Sequence, residues 1–429
     1  MIVQKYISGV SAVNIAASVE AAVANGKVAA GSLLPPVRAL AAQLAVSPTT
    51  VAAAYRLLQD RGVIVSDGRR GTRVRSAPPI AMPSELAYPE GVRDLAAGNP
   101  DAALLPRLPR LELDQRLYGE EVNDPELIEL AREQFRGDGI AAEHVTVVSG
   151  ALDGIERVLR EHLRAGDRVA VEDPSFTGVL DLLNALSLVA VPVALDDDGP
   201  LPSELRKAIR ACEAVIVTPR AQNPTGAALT TKRARELRAV LAAKPGLVVI
   251  EDDHAGPAAG ADYVTIIDRQ REKWAVVRSV SKWLGPDLRV AVMASDPRTH
   301  ARVQGRQTLG ARWVSHILQR IVVSVWRDRV TQRAGRVYAE RRDALLRALR
   351  ERGIAARGVS GLNVWIPVAE ESATITALLQ LGWAVKAGER YRIASPPAIR
   401  VTIATLEPKE AVRFAEDLAK VLNARTSGV

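Results

Sequence analysis

Seven short apolar runs alternate with helix-like stretches in the middle of the chain, and this alternation constrains the fold more than any other feature. The runs cover residues 145–148, 168–171, 190–194, 214–218, 247–250, 274–278 and 290–294. Apolar strands separated by helices are typical of a mixed, mostly parallel sheet covered on both faces. Ligands of such sheets bind where the strands end. The sequence therefore predicts an α/β body with its site residues at the ends of these runs.

Lys282 is the strongest candidate for a covalent attachment point. It closes the stretch 279–282 (Ser-Val-Ser-Lys), and Arg289 follows seven positions later. A lysine can hold an aldehyde cofactor as a Schiff base, while hydroxyl and guanidinium groups neutralise a cofactor phosphate. Three polar turns that follow apolar runs lie upstream, at 149–150 (Ser-Gly), 223–226 (Asn-Pro-Thr-Gly) and 251–253 (Glu-Asp-Asp). Together they predict a phosphate-bearing cofactor in the body.

These features resemble the fold-type I aminotransferases, which use pyridoxal 5'-phosphate (PLP), and the resemblance covers residues 94–425. It implies a phosphate cup, a ring that stacks on the pyridine, partners for the phenolic oxygen and a carboxylate for the pyridine nitrogen. The residues concerned are, in that order, Ser149, Gly150, Ala151, Leu152, Ser279, Ser281 and Arg289; Phe176; Asn223 and His254; and Asp252. The resemblance also implies that Arg400 binds a substrate or effector carboxylate and that Tyr118 reaches the cofactor phosphate of a neighbouring subunit.

Several of these residues have an ordinary structural alternative. Phe176 suits a hydrophobic core, Asp252 suits a salt bridge, and Arg400 suits a structural carboxylate, because a buried charge needs a partner. Tyr118 can equally be a half-buried tyrosine. His254 stands where many relatives have a tyrosine, and protonation of a histidine near neutrality would change the chemistry of the cofactor. Transaminase activity is therefore an open question at this stage.

Three helix-like stretches and a hairpin precede the body. Apolar residues at helical spacing predict helices over 11–25, over 37–44 and from Pro48 onward, with Ser47 as the N-cap of the third. Two short apolar runs flank an Asp-Gly turn at 67–68, which indicates a hairpin. This order resembles the winged helix-turn-helix of the GntR family.

The resemblance implies contacts with double-stranded DNA. Residues at the start of the third helix would face the major groove, and the basic residues would reach phosphates or the minor groove. The candidates are Arg38, Ser47, Thr49, Thr50, Arg56, Arg69, Arg70, Thr72 and Arg73. Any one of these arginines alone suits a solvated surface. The region 1–75 carries nine basic and three acidic residues, so most of the chain's net charge of +8 is concentrated there.

Composition sets the domain plan. We expect a DNA-binding domain over 1–76, a proline-rich linker over 77–93, and a body over 94–425 with a large part to about 330 and a small α/β part from 331. The chain has no apolar run long enough to cross a bilayer and no signal-peptide pattern, so we expect a cytoplasmic protein without a membrane partner. No metal site is expected.

A GntR head on an aminotransferase-like body resembles the MocR regulators, and the turns at 220–226, 252–254 and 279–289 are most similar to the PtsJ-type members. The resemblance implies a homodimeric regulator in which PLP or its adduct with a small amine or amino acid changes operator binding, with vitamin B6 genes as a possible target. A working aminotransferase with an autoregulatory head is the alternative. A PLP-binding repressor without an amine ligand is a third hypothesis.

Overall fold

The structure is a computed structural model of the 429-residue chain. It describes residues 3–25, 27–29, 31–60, 63–66, 71–74, 88–108, 110, 116–328 and 330–426. The chain forms two compact units, the first comprising residues 1–84 with the segments 163–168 and 181–189, and the second comprising the remaining residues. Within the described ranges, no helix has both the length and the apolar character needed to span a bilayer.

The N-terminal unit contains the three expected helices and the expected hairpin. The helices are α1 (Ala12–Ala24), α2 (Val37–Leu44) and α3 (Pro48–Asp60), and the hairpin strands are β1 (Ile64–Ser66) and β2 (Thr72–Val74). Ser11 caps α1 by accepting from the backbone N–H of Asn14. Ala45 has φ +51° and ends α2, so the chain can turn into α3. The buried faces of the three helices form a core of their own around Ile15, Leu40 and Leu58.

The second unit is built on an eight-stranded sheet. Its elements, in chain order, are β3 (Arg93–Asp94), α4 (Pro125–Gly137), β4 (Val145–Val148), α5 (Ala151–His162), β5 (Arg168–Asp173), α6 (Thr177–Ala185), β6 (Val189–Asp196), β7 (Gly199–Pro200), α7 (Pro202–Ala208), β8 (Ala214–Val217), α8 (Thr231–Ala242), β9 (Val248–Asp253), β10 (Trp274–Ser279), β11 (Ala291–Ser295), α9 (Pro297–Leu309) and α10 (His316–Val325). All seven apolar runs of the sequence are strands. Strands β4, β8, β9 and β11 are buried along their whole length, as expected for a sheet covered on both faces.

The strand order places the predicted site residues together. The sheet runs β4-β11-β10-β9-β8-β5-β6-β7, and β11 is antiparallel to both of its neighbours. Strands β5, β8, β9 and β10 are parallel, so their carboxyl ends share one edge. Phe176, Asn223, Asp252 and Ser279 follow or end those strands.

A smaller α/β part completes the second unit. It contains α11 (Val330–Arg350), β12 (Asn363–Pro367), α12 (Glu371–Gln380), β13 (Trp383–Ala384), β14 (Lys386–Ala387), β15 (Ala398–Thr402) and α13 (Pro408–Thr426). Strand β15 lies between β12 and β14 in an antiparallel sheet, and β13 pairs with β3. The central strand β15 carries Arg400.

Candidate functional site

Gly150 and Arg289 meet where β4 ends and α5 begins. The sequence predicts a helix over 153–163 after this strand, and helix α5 begins two residues earlier, at Ala151, so Ala151 and Leu152 lie in its first turn. A β-carbon added to Gly150 would lie 2.8 Å from Nη2 of Arg289, which places the guanidinium directly against this glycine. Exposed N–H groups at a helix start and a guanidinium are groups that bind phosphate.

The hydroxyl groups of β10 lie on the next strand but one. Ser279 Oγ donates to Ser281 Oγ over 3.0 Å, and the backbone N–H of Ser281 donates to Ser279 Oγ over 3.2 Å. The backbone N–H of Ser149 donates to the carboxylate of Asp153 over 2.9 Å, so this N–H is not free to bind a phosphate. The hydroxyl group is the part of Ser149 that remains for such a role.

Lys282 follows these serines and donates from Nζ to the carbonyl oxygen of Gly98 over 2.9 Å. Burial, together with the positive charges of Arg400 and Arg289, lowers the pKa of Lys282 to about 8. A lysine with a lowered pKa has a larger neutral fraction, which is the form that attacks an aldehyde. Lys282 therefore has the chemistry of a Schiff-base lysine.

Asp252 and Asp253 end β9 in opposite electrostatic environments. Asp252 is buried, and its Oδ1 has no hydrogen-bond partner among the described residues. Burial, together with the charges of Asp253 and Glu172, raises its pKa to about 7. The salt bridges that the sequence left open for Asp252 are made by Asp253 instead, to Arg220 over 2.9 Å and to Arg278 over 2.5 Å. Asp252 Oδ1 is thus a buried acceptor that can receive a hydrogen bond from a ligand.

His254 comes next. Burial, together with the nearby charge of Lys282, lowers its pKa to about 4. The imidazole is therefore neutral at pH 7, and the protonated form that would change the chemistry of the cofactor is the minor one. A neutral imidazole can donate one hydrogen bond without adding a charge.

Arg400 is buried beside Asn223. It donates from Nη1 to Asn223 Oδ1 over 3.3 Å and from Nη2 to the carbonyl oxygen of Ala96. Its guanidinium carbon lies 5.3 Å from the ring centroid of Tyr391. No described carboxylate forms an ion pair with it, so the structural-carboxylate alternative has no support in this part of the chain.

Two aromatic candidates occupy different settings. Phe176 is half-buried, and its ring and Leu152 would both lie within 3 Å of a β-carbon on Gly178, so the ring lies beside the start of α5. Tyr118 is 79 % exposed, with its ring 5.6 Å from that of Trp313 and 4.9 Å from the guanidinium carbon of Arg312. This exposure does not match the alternative of a half-buried tyrosine, and the contact of Tyr118 with the phosphate of a neighbouring subunit stays a prediction.

The head presents hydroxyl and basic groups. Ser47 Oγ accepts from the backbone N–H of Thr50 over 3.1 Å and hydrogen-bonds the hydroxyls of Thr49 and Thr50, at 2.7 and 2.8 Å. These three residues begin α3, as expected. Arg38, Arg56 and Arg73 are exposed, and Thr72 is half-buried on β2. Arg69 and Arg70 lie outside the described residues.

Comparison with known proteins agrees with both parts. The family of bacterial regulatory proteins called gntR matches residues 11–74, and aminotransferase class I and II matches residues 96–418. The vitamin B6 salvage pathway transcriptional repressor PtsJ of Salmonella typhimurium is 40% identical over 430 residues, which cover 97% of this chain and 100% of PtsJ. The chain belongs to the MocR-type regulators of the GntR family.

Other relatives agree with this MocR-type assignment. The pyridoxine biosynthesis regulator PdxR of Corynebacterium glutamicum is 26% identical over 343 residues, 75% of this chain and 74% of PdxR. The crystal structure of the α-aminoadipate aminotransferase LysN of Thermus thermophilus, complexed with N-(5'-phosphopyridoxyl)-L-leucine, covers 79% of this chain and 94% of LysN with a TM-score of 0.68 at 21% identity. This likeness shows that the MocR-type body has the fold-type I aminotransferase fold. The head makes the chain a DNA-binding regulator.

The residues of the MocR-type body fit PLP, the cofactor of this fold. A glycine turn against Arg289, a lysine with a lowered pKa and a buried aspartate whose Oδ1 has no partner among the described residues lie along one edge of the sheet. Three contributors were not predicted from the sequence. The carbonyl groups of Ala96 and Gly98 receive Arg400 and Lys282, and Arg278 anchors Asp253. A backbone carbonyl has no sequence signature, whereas an arginine inside an apolar strand is a readable sign of a buried ion pair.

Proposed function

We propose that this chain is a PLP-responsive transcriptional regulator in which occupancy of the body changes the DNA affinity of the head. The observation that carries the proposal is the buried Oδ1 of Asp252, which has no hydrogen-bond partner in the described chain. A carboxylate in this position needs a donor, since an unsatisfied buried acceptor is costly. The protonated nitrogen of a pyridine ring is such a donor.

The other residues around the site take complementary roles in this proposal. Lys282 would hold the aldehyde carbon of PLP, and Phe176 would pack against its ring. Asn223 and neutral His254 donate to the phenolic oxygen. The phosphate is held by the cup, which consists of Ser149, Gly150, Ala151, Leu152, Ser279, Ser281 and Arg289. When bound, PLP supplies an electrophilic carbon that an incoming amine can attack.

Arg400 gives the site a place for the carboxylate of an amino-acid effector. It is buried, and no described acidic side chain neutralises it. An arginine fork matches a carboxylate in geometry as well as in charge. The ligand would act on the head only if it binds one arrangement of the protein more tightly than another. PtsJ is named as a repressor of vitamin B6 salvage, so genes of vitamin B6 metabolism are the first targets to test.

The regulator acts as a homodimer in this proposal. Tyr118 is 79 % exposed, and among the described residues its ring packs beside Trp313 and Arg312. A tyrosine hydroxyl projecting from one protomer is available to a phosphate held by the other. A mass measurement in solution tests the oligomeric state.

A working aminotransferase is the second candidate. Lys282 and Arg400 are both in place, and these are the groups that transamination of an amino acid requires. The likeness to aminotransferases therefore includes two residue types that the reaction needs, in addition to the fold. Incubating the PLP-loaded protein with amino acids and measuring oxo-acid release distinguishes the two functions. Sustained multiple turnover would contradict a purely regulatory role.

The decisive experiment is DNA binding to the protein's own upstream region, by footprinting and by fluorescence anisotropy at fixed salt, because phosphate contacts make affinity salt-dependent. The arms are the apoprotein, the PLP-loaded protein and the loaded protein with an amino acid. We expect PLP to change the affinity of the wild type and of the exposed control variant Lys409→Ala, and to have no effect on Lys282→Ala. Equal affinities in the three arms for the wild type would refute the proposal. A response to PLP alone would favour the hypothesis without an amine ligand.

A further inference from the structure

A second cation lies directly beside Arg400 in the small sheet. Lys386 of β14 is the registered partner of Arg400 in β15. Directly opposite residues of an antiparallel pair project from the same face, with β-carbons about 5 Å apart. Lys386 therefore belongs to the same side of the sheet as the buried guanidinium.

On the neighbouring strand β12, aromatic rings lie beside Arg400. Trp365 of β12 is directly opposite Arg400 in the register. Tyr391 packs against Trp365 with ring centroids 6.2 Å apart, and both residues are buried. Of the two residues opposite Arg400 in this sheet, Lys386 is charged and Trp365 is not. A second charged group of a ligand bound to Arg400 would therefore meet Lys386.

The two cations are not neutralised by the described protein. No described carboxylate lies within ion-pair distance of Lys386 or of Arg400. Asp94 is the acidic residue that acts on both, and its Oδ1 accepts from the backbone N–H groups of Ala96 and Ala97. Burial lowers the pKa of Lys386, as do the charges of Arg400 and Arg390. Like charges directly opposite each other in a sheet are destabilising unless an anion joins them.

We infer that Lys386 binds a second anionic group of the ligand whose first carboxylate Arg400 holds, so that the effector is a short dicarboxylic amino acid. This inference rests on the proposed role of Arg400. The competing explanation is a solvated lysine on an edge strand, where lysine discourages strand pairing between molecules. That explanation predicts no effect of Lys386 on ligand choice.

The test compares two ligands of the same shape and different charge. Glutarate has two carboxylates, and its monoamide, glutaramate, has one. Calorimetric titration of each into the apoprotein and the PLP-loaded protein measures the preference for the second charge. We expect the wild type to bind glutarate about 10-fold more tightly than glutaramate, as for loss of one charge-assisted hydrogen bond.

The variants assign that preference. Lys386→Met should bind both ligands with the affinity of glutaramate, Lys386→Arg should keep the preference, and the exposed control Lys409→Met should behave as the wild type. Equal affinities in the wild type, or an unchanged preference in a folded Lys386→Met protein, would overturn the inference. We expect Arg400→Met to lose all glutarate binding. We expect Lys386→Met to keep weak glutarate binding.

This measurement involves neither DNA nor exchange of an amine at Lys282. If DNA affinity does not respond to PLP, the regulatory proposal fails while the charge preference can still be observed. If glutarate competes for the site but Arg400→Met binds it as well as the wild type, the proposed carboxylate site fails, and the inference about Lys386 fails with it.

Discussion

The guanidinium of Arg289 lies against the α-carbon of Gly150. A β-carbon built on this glycine would be 2.8 Å from Nη2 and 3.4 Å from Cζ of the arginine. Gly150 has φ +100°, and Arg289 itself is in the left-handed region with φ +48°. The glycine therefore has two reasons to be a glycine, its own backbone conformation and the close approach of the arginine. This contact joins the end of β4 to the segment that follows Lys282.

Gly150→Ala should damage the phosphate cup. The added methyl must displace Arg289, so we expect PLP affinity to fall by at least about 10-fold, the effect of losing one charge-assisted contact. Gly166→Ala is a matched control, since Gly166 has φ +93° and no atom within 4 Å of the added carbon. Both variants carry the backbone strain, and only Gly150→Ala carries the clash. Equal PLP affinities in a spectroscopic titration would show that Arg289 does not hold the phosphate.

Asp252→Asn should change the pH dependence of stability in the apoprotein. The folded pKa of Asp252 is raised to about 7 by burial and by Asp253, whereas an unfolded aspartate ionises near its ordinary pKa of 3.8. Between these values the unfolded state loses its proton first, so the wild type loses stability as pH rises to 7. The loss then levels off.

The Asn variant lacks this titration. At pH 8 we expect its free energy of unfolding to exceed that of the wild-type apoprotein by about 4 kcal/mol, since a pKa unit corresponds to about 1.4 kcal/mol. Urea denaturation from pH 4 to pH 8 measures this difference, and the exposed control Asp287→Asn, which retains Asp252, should follow the wild type. PLP should bind the Asn variant more weakly. A parallel pH dependence in wild type and variant would exclude a buried titrating Asp252.

Substitution of two buried arginines should change the free energy of unfolding by very different amounts. Arg278 pairs with Asp253 over 2.5 Å and with Asp138 over 2.7 Å. Arg278→Met leaves Asp253 with one buried partner fewer, so we expect a loss of about 3–5 kcal/mol. Arg400 has no ion pair among the described residues, so Arg400→Met should change the free energy of unfolding by no more than about 1 kcal/mol. Denaturant melts of the apoprotein compare them. A collapse of Arg400→Met would reveal a structural role for this arginine.

Arg56 should contribute to DNA affinity without reading sequence. It is exposed on α3, in the helix that begins with Thr49 and Thr50. We expect Arg56→Ala to weaken binding to all sequences and to reduce the slope of log K against log salt by about 1. Arg347→Ala, an exposed arginine of α11, is the control. Anisotropy at four salt concentrations measures the slope, and an unchanged slope would place Arg56 away from the DNA backbone.

Local patterns were enough to predict most of the fold. Helix α2 spans Val37–Leu44 as its periodicity predicts, and every apolar run from 145 to 294 is a strand. These elements are legible because burial of one face or of both faces leaves a regular trace in the sequence. The start of α5 was placed two residues late, since helix termini depend on local hydrogen bonds.

The sequence by itself determined the two-part organisation, the elements and the lysine, because each depends on residue types at fixed spacing. Only the tertiary structure decided which of two adjacent aspartates is neutralised. Asp252 and Asp253 are neighbours in the chain, but they face different sides of β9, and Arg220 and Arg278 come from other segments to pair with Asp253 and not with Asp252. The low pKa of His254 and the facing of Lys386 and Arg400 likewise follow from burial and strand register. The ionisation and pairing of these side chains depend on neighbours that are distant in the sequence, whereas a helix depends on residues that are close in it.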